Sequence, residues 1–433
     1  MSAAEFPLGG FKECDIRGTF GADITPEVAY RLGRAIATLL PDQPVIIGGD
    51  FRTTTVQLMG ELRRGLLESG ARVLDVGQLS TPGYYFARQA LGVTAGVMVT
   101  ASHSPSLWNG FKPILGELPI MPDELDALRD LAASGLFRER EGTIETLNIK
   151  PQYVNWLLER FAGLAGQTGR MVFDCGSGAA GWALGDVIRG LKLDAVSLLD
   201  RPDGLFPFRT PDISGPEDLA DLQQAVVREQ AALGFGFDGD GDRVGLVDEL
   251  GQRVPSDRLI AWLAGTLVRR NGGGDVVLDL KLSQLATEEV TRAGGTALPQ
   301  RSGHTFIKRT LIERGALLGG EYSGHIFFGE LSGIDDALFA ALLMASLMAE
   351  AAQPASQVFG ALPSYAPSPD IRIRWQGDKT ELMERTAAAV HADGAKCLRL
   401  DGVKAVYANG WALLRPSVTE PALTLRFEGR TPG

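Results

Sequence analysis

The strongest constraint on this chain is a strand–helix alternation that begins near the N-terminus and then restarts twice. Thr25-Pro26-Glu27 opens a helix: threonine caps, proline suits the first turn, and glutamate favours the dipole. Val28, Leu32, Ala35, Ile36 and Leu39 then share one face. A buried strand at 45–48, a helix at 56–68, a strand at 72–76, a helix at 82–91 and a strand at 96–102 follow. Alternation of this kind calls for an α/β layer with mostly parallel strands. The pattern restarts at about residue 150, with a strand at 170–174, a helix from about Ala179 and a helix at 216–230. The Cys175-Gly-Ser-Gly178 turn between strand and helix is too short to be specific for phosphate. A third cycle reads helix 256–269, strand 275–280, helix 285–292, helix 305–314, strand 316–319 and an apolar helix from Ala337. Proline and serine then crowd residues 361–369, a linker composition, and the remainder reads strand, helix, strand, strand, strand. The units repeat in architecture only, with no fixed sequence period.

Composition narrows the function. The chain has 433 residues, 45% of them hydrophobic and 22% charged, which suits roughly two to four globular domains. Its net charge of −11 disfavours a general nucleic-acid binder, though local cations still allow an anionic metabolite. Cys14, Cys175 and Cys397 are widely separated and odd in number, which gives neither a disulfide framework nor a zinc spacing. The N-terminus lacks a basic region followed by an apolar run, and the stretch 337–349 is too short to span a bilayer. We expect a cytoplasmic protein that binds no membrane.

The run Gly236-Phe-Asp-Gly-Asp-Gly-Asp-Arg243 lies between two strand-like segments, Leu233–Phe237 and Val244–Asp248. Asp238, Asp240 and Asp242 therefore share a tight turn, where hard oxygen ligands repel one another unless a cation such as Mg²⁺ or Ca²⁺ sits among them. An EF-hand loop is the rival, with Glu249 at its twelfth position. However, its obligatory glycine is replaced by Arg243, and the flanks are strands. A solvated acidic turn is the plainer alternative.

Thr100-Ala-Ser-His-Ser-Pro-Ser-Leu-Trp-Asn-Gly-Phe-Lys112 sits at the end of a buried strand, where α/β active sites gather. Two readings stand. Either Ser102 is a nucleophile, with His103 and Lys112 holding phosphate, or the stretch is a serine-rich turn that satisfies its own backbone. Glu321, Ser323 and His325 in Gly319-Gly-Glu-Tyr-Ser-Gly-His325 alternate, so in an extended segment they point to one side and suit sugar hydroxyls; a polar strand rim is the alternative. Arg415-Pro-Ser-Val-Thr-Glu-Pro421 reads as an oxyanion turn or an ordinary polar one. Arg17, Lys281 and His304, taken singly, read as structural ion pairs or satisfied side chains.

In this order the four stretches resemble the α-D-phosphohexomutase superfamily, and most closely its phosphomannomutase/phosphoglucomutase branch, over nearly the whole chain. The Thr-Ala-Ser-His-Ser-Pro stretch resembles the phosphoserine loop and Asp-Gly-Asp-Gly-Asp-Arg the metal loop. Gly-Glu-Tyr-Ser-Gly-His resembles the sugar-recognition loop, and Arg-Pro-Ser-Val-Thr-Glu-Pro the phosphate-binding loop. The resemblance implies an α/β fold: three similar α/β domains with mixed sheets and a smaller C-terminal α+β domain, similar to the TATA-binding protein, around a central cleft. The expected divisions are 1–148 with the phosphoserine loop, 149–250 with the metal loop, 251–365 with the sugar loop and 366–433 with the phosphate loop. Relatives usually continue with a helix beyond Gly433, so the fourth domain looks short.

The implied activity is reversible conversion of hexose 6-phosphate to hexose 1-phosphate, of mannose or glucose, through a phosphoserine and a hexose 1,6-bisphosphate. The resemblance implies Ser102 as phosphoryl carrier, and Mg²⁺ on Asp238, Asp240, Asp242 and a Ser102 phosphoryl oxygen. Glucose 1,6-bisphosphate would serve as activator. Arg17, His103, Lys112 and Arg243 would stabilise the transferring group, with the general base in the region of His304 and Lys112. Lys281, Glu321, Ser323 and His325 would bind sugar. Arg415, Ser417, Val418 and Thr419 would hold the non-transferring phosphate. The implied partner is a phosphosugar, and the implied state a monomer or weak dimer. Cys14, Ser104, Tyr322 and Val418 depart from the common pattern, and Tyr322 bears on the choice of sugar. Phosphoglucosamine mutase and an inactive sugar-phosphate-binding relative are the alternatives.

Overall fold

Thr25 and Pro26 start the first helix where the sequence places it. Helix Pro26–Leu39 begins with the Thr25 hydroxyl accepting from the Val28 amide at 3.2 Å. Its buried stripe of Val28, Leu32 and Ile36 joins Leu58, Leu62 and Leu66 of helix Thr55–Glu68. Together they cover strands Pro44–Gly49 and Ala95–Val99, which are buried almost throughout. Each such apolar side chain contributes about 1.5–3 kcal/mol on burial, so this contact dominates the local energetics. The structure, a computed structural model, describes residues 6–167, 169–416 and 421–431.

The chain divides into two compact units. The first comprises Met1–Val254, Gly324–Ile326 and Ile334–Ser356; the second comprises Pro255–Ser323, Phe327–Gly333 and Gln357–Gly433.

The first unit contains two mixed sheets. One runs in the order Ile16–Thr19, Trp108–Leu115, Ala95–Val99, Pro44–Gly49, Arg72–Gln78, Thr143–Thr146. The other runs Arg253–Val254, Val244–Asp248, Leu233–Phe237, Met171–Asp174, Ala195–Leu198. Both sheets are mixed, as the resemblance implies, with antiparallel pairs at one edge of an otherwise parallel sheet. Trp108–Leu115 pairs antiparallel with Ala95–Val99, and Val244–Asp248 pairs antiparallel with Leu233–Phe237. The cause is loop length: parallel pairing needs a long crossover, whereas the serine loop and the acidic turn are short. The helix expected over 216–230 is confined to Ala220–Arg228, because Asp218 turns the chain back by accepting from the Gly215 amide at 2.6 Å. Helix Ala337–Ala351 is buried on nearly every face and packs on Leu233–Phe237 and Val244–Asp248.

In the second unit, strands Thr296–Gln300, Asp275–Asp279 and Leu318–Gly320 pair in parallel. Its C-terminal part is an antiparallel sheet in which Ala422–Gly429 pairs with both Ile371–Arg374 and Gly410–Pro416. Val403–Tyr407 and Lys396–Leu398 extend it and Ala366–Pro367 adds a short sixth strand, two more than the sequence reading, and helix Lys379–Ala392 covers it through Met383, Ala387 and Val390. Among the described residues, no helix is long and apolar enough to cross a membrane.

Candidate active site

The acidic turn is a hairpin between two fully buried strands, and it folds around its own first carboxylate. Asp238 Oδ1 accepts from the amides of Gly241, Asp242 and Arg243, each at 3.1 Å. Gly239 passes so close to the serine loop that a Cβ there would lie 2.5 Å from the Ser102 carbonyl oxygen. Only glycine fits that approach.

Asp238, Asp240 and Asp242 are all buried, and each offers an oxygen within 4.8 Å of the others. Lys112, on strand Trp108–Leu115, donates to Asp240 at 2.8 Å and to Asp242 at 2.6 Å. Asp240 Oδ2 also accepts from Thr81 at 2.6 Å, but its buried Oδ1 accepts no hydrogen bond. A buried oxygen without a donor, in a set of hard carboxylate ligands, fits a divalent cation. Burial pushes Asp238 well above the usual carboxylate range, with Asp242 and Asp240 adding to it. Burial works against the Lys112 ammonium, but Asp240 and Asp242 outweigh it and hold Lys112 well above its ordinary value.

Ser102 lies against this triad. Its hydroxyl donates to Asp238 Oδ2 at 3.1 Å and sits 3.2 Å from His103 Nδ1. Its backbone is left-handed, with φ 51°. That is a sparsely populated conformation for serine, costing on the order of 1 kcal/mol. Burial, with Arg243 and Arg17 nearby, holds His103 well below the ordinary imidazole value. Arg17 reaches the same loop, donating to Ser104 Oγ at 3.3 Å.

Arg243 and His325 complete the group. Arg243 Nε donates to His325 Nε2 at 2.9 Å, and His325 Nδ1 lies 2.8 Å from Asp335 Oδ2. The sequence reading put His325 beside Glu321 and Ser323 on one side of an extended segment. Instead, residues 321–324 turn, with φ 97° at Gly324, and His325 is buried with Arg243 and Asp335. Asp335 went unrecognised, although it lies in the Asp335-Asp336 pair before an apolar helix. Asp50 and Arg52 at the end of strand Pro44–Gly49 were likewise missed.

Thus the first unit gathers Arg17, Ser102, His103, Lys112, Asp238, Asp240, Asp242, Arg243 and His325. Lys281, His304, Glu321, Ser323 and Arg415 belong to the second unit. There Ser323 donates to Glu321 Oε1 at 3.0 Å, Lys281 pairs with Asp370 at 2.6 Å and Arg415 with Asp401 at 2.7 Å. His304 opens helix His304–Arg314. Ser417, Val418 and Thr419 lie outside the described residues.

Comparison with known proteins places this geometry in context. The chain matches phosphoglucomutase/phosphomannomutase alpha/beta/alpha domain I over residues 9–139, domain II over 151–251, domain III over 255–365 and the C-terminal domain over 371–433. It is 36% identical to a phosphomannomutase/phosphoglucomutase of Pseudomonas aeruginosa, covering 99% of this chain and 93% of the relative. It is 34% identical to a phosphoglucomutase of Neisseria gonorrhoeae, over 97% of this chain and 93% of that one. A crystal structure of a phosphoglucomutase/phosphomannomutase family protein from Burkholderia thailandensis superposes with a TM-score of 0.88 at 32% identity, covering 98% of this chain and 93% of the other.

Proposed function

The chain belongs to the phosphoglucomutase/phosphomannomutase family and is a phosphohexomutase; from that premise we propose that it interconverts the 6- and 1-phosphates of mannose and glucose through phosphorylated Ser102. One observation carries the reading: the Ser102 hydroxyl lies on Asp238 of a buried carboxylate triad, with Lys112 and Arg243 beside it. Phosphoryl transfer asks a protein mainly for positioning and charge stabilisation, and this cluster supplies both.

In this reading the phosphoryl group leaves Ser102 Oγ for the free hydroxyl of a hexose phosphate. The P–O bond to serine breaks as the bond to the sugar oxygen forms, giving a hexose 1,6-bisphosphate. The sugar hydroxyl's proton goes to a general base; of the two expected candidates that leaves His304, since Asp240 and Asp242 hold Lys112 as an ammonium. The bisphosphate then presents its other phosphate, which returns to Ser102 Oγ, while the sugar oxygen released takes back the proton held by the base. Arg17, Lys112 and Arg243 spread the charge of the group in transit. Asp238, Asp240 and Asp242 would hold Mg²⁺, which when bound neutralises charge on the phosphoryl oxygens and improves serine as a leaving group. Glu321, Ser323 and Lys281 would bind the sugar, and Arg415 with Ser417, Val418 and Thr419 the idle phosphate; His325, buried against Arg243 and Asp335, would orient Arg243 instead. Glucose 1,6-bisphosphate would prime the unphosphorylated protein.

The test is turnover of the 1-phosphates of mannose, glucose and glucosamine with Mg²⁺ and a trace of glucose 1,6-bisphosphate, together with the intact mass. Mannose and glucose 1-phosphates should react, and part of the protein should carry one added phosphate that Ser102→Ala removes along with activity. Near-wild-type turnover by Ser102→Ala would end the phosphoserine mechanism. A preference for glucosamine 1-phosphate would move the substrate assignment.

A further inference from the structure

The strand Pro44–Gly49 ends in Asp50-Phe51-Arg52, and the Arg52 side chain is completely buried. Its guanidinium spends its donors on the backbone of the serine loop. Nη2 donates to the carbonyls of Ser102 at 2.8 Å and Ser104 at 2.6 Å, and Nη1 to those of Pro105 at 2.7 Å and Trp108 at 3.0 Å. Nε faces Asp50 Oδ2 at 3.2 Å, and the Phe206 ring lies 5.2 Å from the guanidinium.

Asp50 holds the other side of the same residue. Its Oδ2 accepts from the Thr100 hydroxyl at 2.7 Å, and that hydroxyl oxygen accepts from the Ser102 amide at 2.9 Å. Asp50 Oδ1 is fixed by the Arg52 amide at 2.9 Å and the Thr55 hydroxyl at 2.7 Å. Both backbone polar groups of Ser102 are therefore held from a single strand end.

A buried guanidinium is an expensive way to satisfy four carbonyls, since the cation must first be stripped of its water. What it gives is a rigid planar fork that a neutral donor or a lysine cannot reproduce. Strained backbone persists only where the surroundings over-determine it, and Ser102, at φ 51°, is the strained residue. We infer that Arg52, together with Asp50, is a positioning residue for phosphoryl transfer. It locks the peptide planes on either side of Ser102 so that Oγ stays against Asp238. The inference rests on the phosphoserine reading above. A shift of the reacting oxygen by about 1 Å costs roughly 10²-fold in rate, which sets the scale of the effect.

The experiment compares wild type, Arg52→Lys and Ser102→Ala. Steady-state kcat and KM are measured with mannose 1-phosphate and glucose 1,6-bisphosphate. Single-turnover assays on the phosphorylated protein separate transfer to sugar from hydrolysis by water. Arg52→Lys should lower kcat roughly 10²-fold with little change in KM. Hydrolysis needs no aligned acceptor and should be preserved, so the transfer-to-hydrolysis ratio falls by the same factor. A purely structural role would lower thermal stability and leave that ratio unchanged, which overturns the inference, as does wild-type kcat in folded Arg52→Lys. Should Arg52→Lys not fold, Thr100→Val decides by the same ratio, since it cuts the grip on the Ser102 amide while keeping the side-chain shape. An active Ser102→Ala would sink the underlying phosphoserine reading, a result distinct from either Arg52 outcome.

Discussion

Arg243 donates its Nε hydrogen to Nε2 of His325 at 2.9 Å, across 82 residues of sequence. An imidazole nitrogen that accepts a hydrogen bond carries no proton, so the ring hydrogen belongs on Nδ1, which faces Asp335 Oδ2 at 2.8 Å. Asp335 thus lies against the ring nitrogen opposite the one that holds Arg243, and steadies the imidazole. Asp335→Asn should lower kcat by roughly 10–100-fold, as loss of an orienting partner usually does. Thermal unfolding should stay close to wild type. Steady-state kinetics with a melting curve checks this, and an unchanged kcat would remove Asp335 from the set.

The bare Oδ1 of Asp240 points to a second outcome. Removing divalent cations with EDTA should abolish turnover, and Mg²⁺ should restore it. Asp240→Asn should need about tenfold or more Mg²⁺ for half-maximal rate, because a neutral amide is a poorer ligand for a hard cation. A Mg²⁺ titration of both proteins reads this out. Full activity after exhaustive chelation is the contrary result.

The contact between the acidic turn and the serine loop has a steric signature. In Gly239→Ala the new methyl would start 2.5 Å from the Ser102 carbonyl and 2.8 Å from the Pro211 Cβ, so one backbone must move. We expect a loss of about 1–3 kcal/mol in stability from overpacking. The accompanying fall in kcat should be roughly 10²-fold, because on the phosphoserine reading the displaced element carries the reacting oxygen. Gly116→Ala, where a Cβ meets nothing within 4 Å, is the neutral control.

Asp336 makes stability depend on pH. Burial raises its carboxyl from the usual range to about 6, although it accepts from Tyr153 and from the Phe339 amide. At low pH the group is protonated in both states. As pH rises the unfolded chain ionises first, near 4, and the folded one near 6. Stability should therefore fall between pH about 4 and 6 and stay lower above that, by on the order of 2–3 kcal/mol. Asp336→Asn keeps a capping side chain and should lack this fall. Urea unfolding of both proteins from pH 4 to 7 decides. Parallel stability profiles would contradict the assignment.

The parts of the site that were legible in the sequence are contiguous. Asp238, Asp240 and Asp242 announce themselves because alternating carboxylates on one turn carry their chemistry in their spacing. Ser102 stood out by its place at the end of a buried strand. Arg52 and Asp335 did not, because their meaning lies in partners far along the chain: Arg52 hydrogen-bonds residues 50 to 56 positions away, and Asp335 acts through His325 toward Arg243. His325 was read with Glu321 and Ser323 because alternation assumes an extended backbone, and Gly324 turns the chain instead. The alternation of strands and helices was legible from apolar periodicity. The antiparallel edge of the first sheet was not, since Ile16–Thr19 is four residues long and Trp108–Leu115 mixes polar with apolar positions, whereas that of the second follows from the tight turn between Leu233–Phe237 and Val244–Asp248.

The left-handed backbone at Ser102 sets rate and sturdiness against each other. Every residue except glycine is uncomfortable at φ 51°, yet glycine has no hydroxyl to carry a phosphoryl group. The protein keeps serine at a position where its conformation is disfavoured, and on the phosphoserine reading only the chemistry of the hydroxyl offsets that cost. Drift freed from the need to catalyse would run downhill toward glycine there. In a lineage of this fold, such a replacement would mark the point at which catalysis was given up while the scaffold was retained.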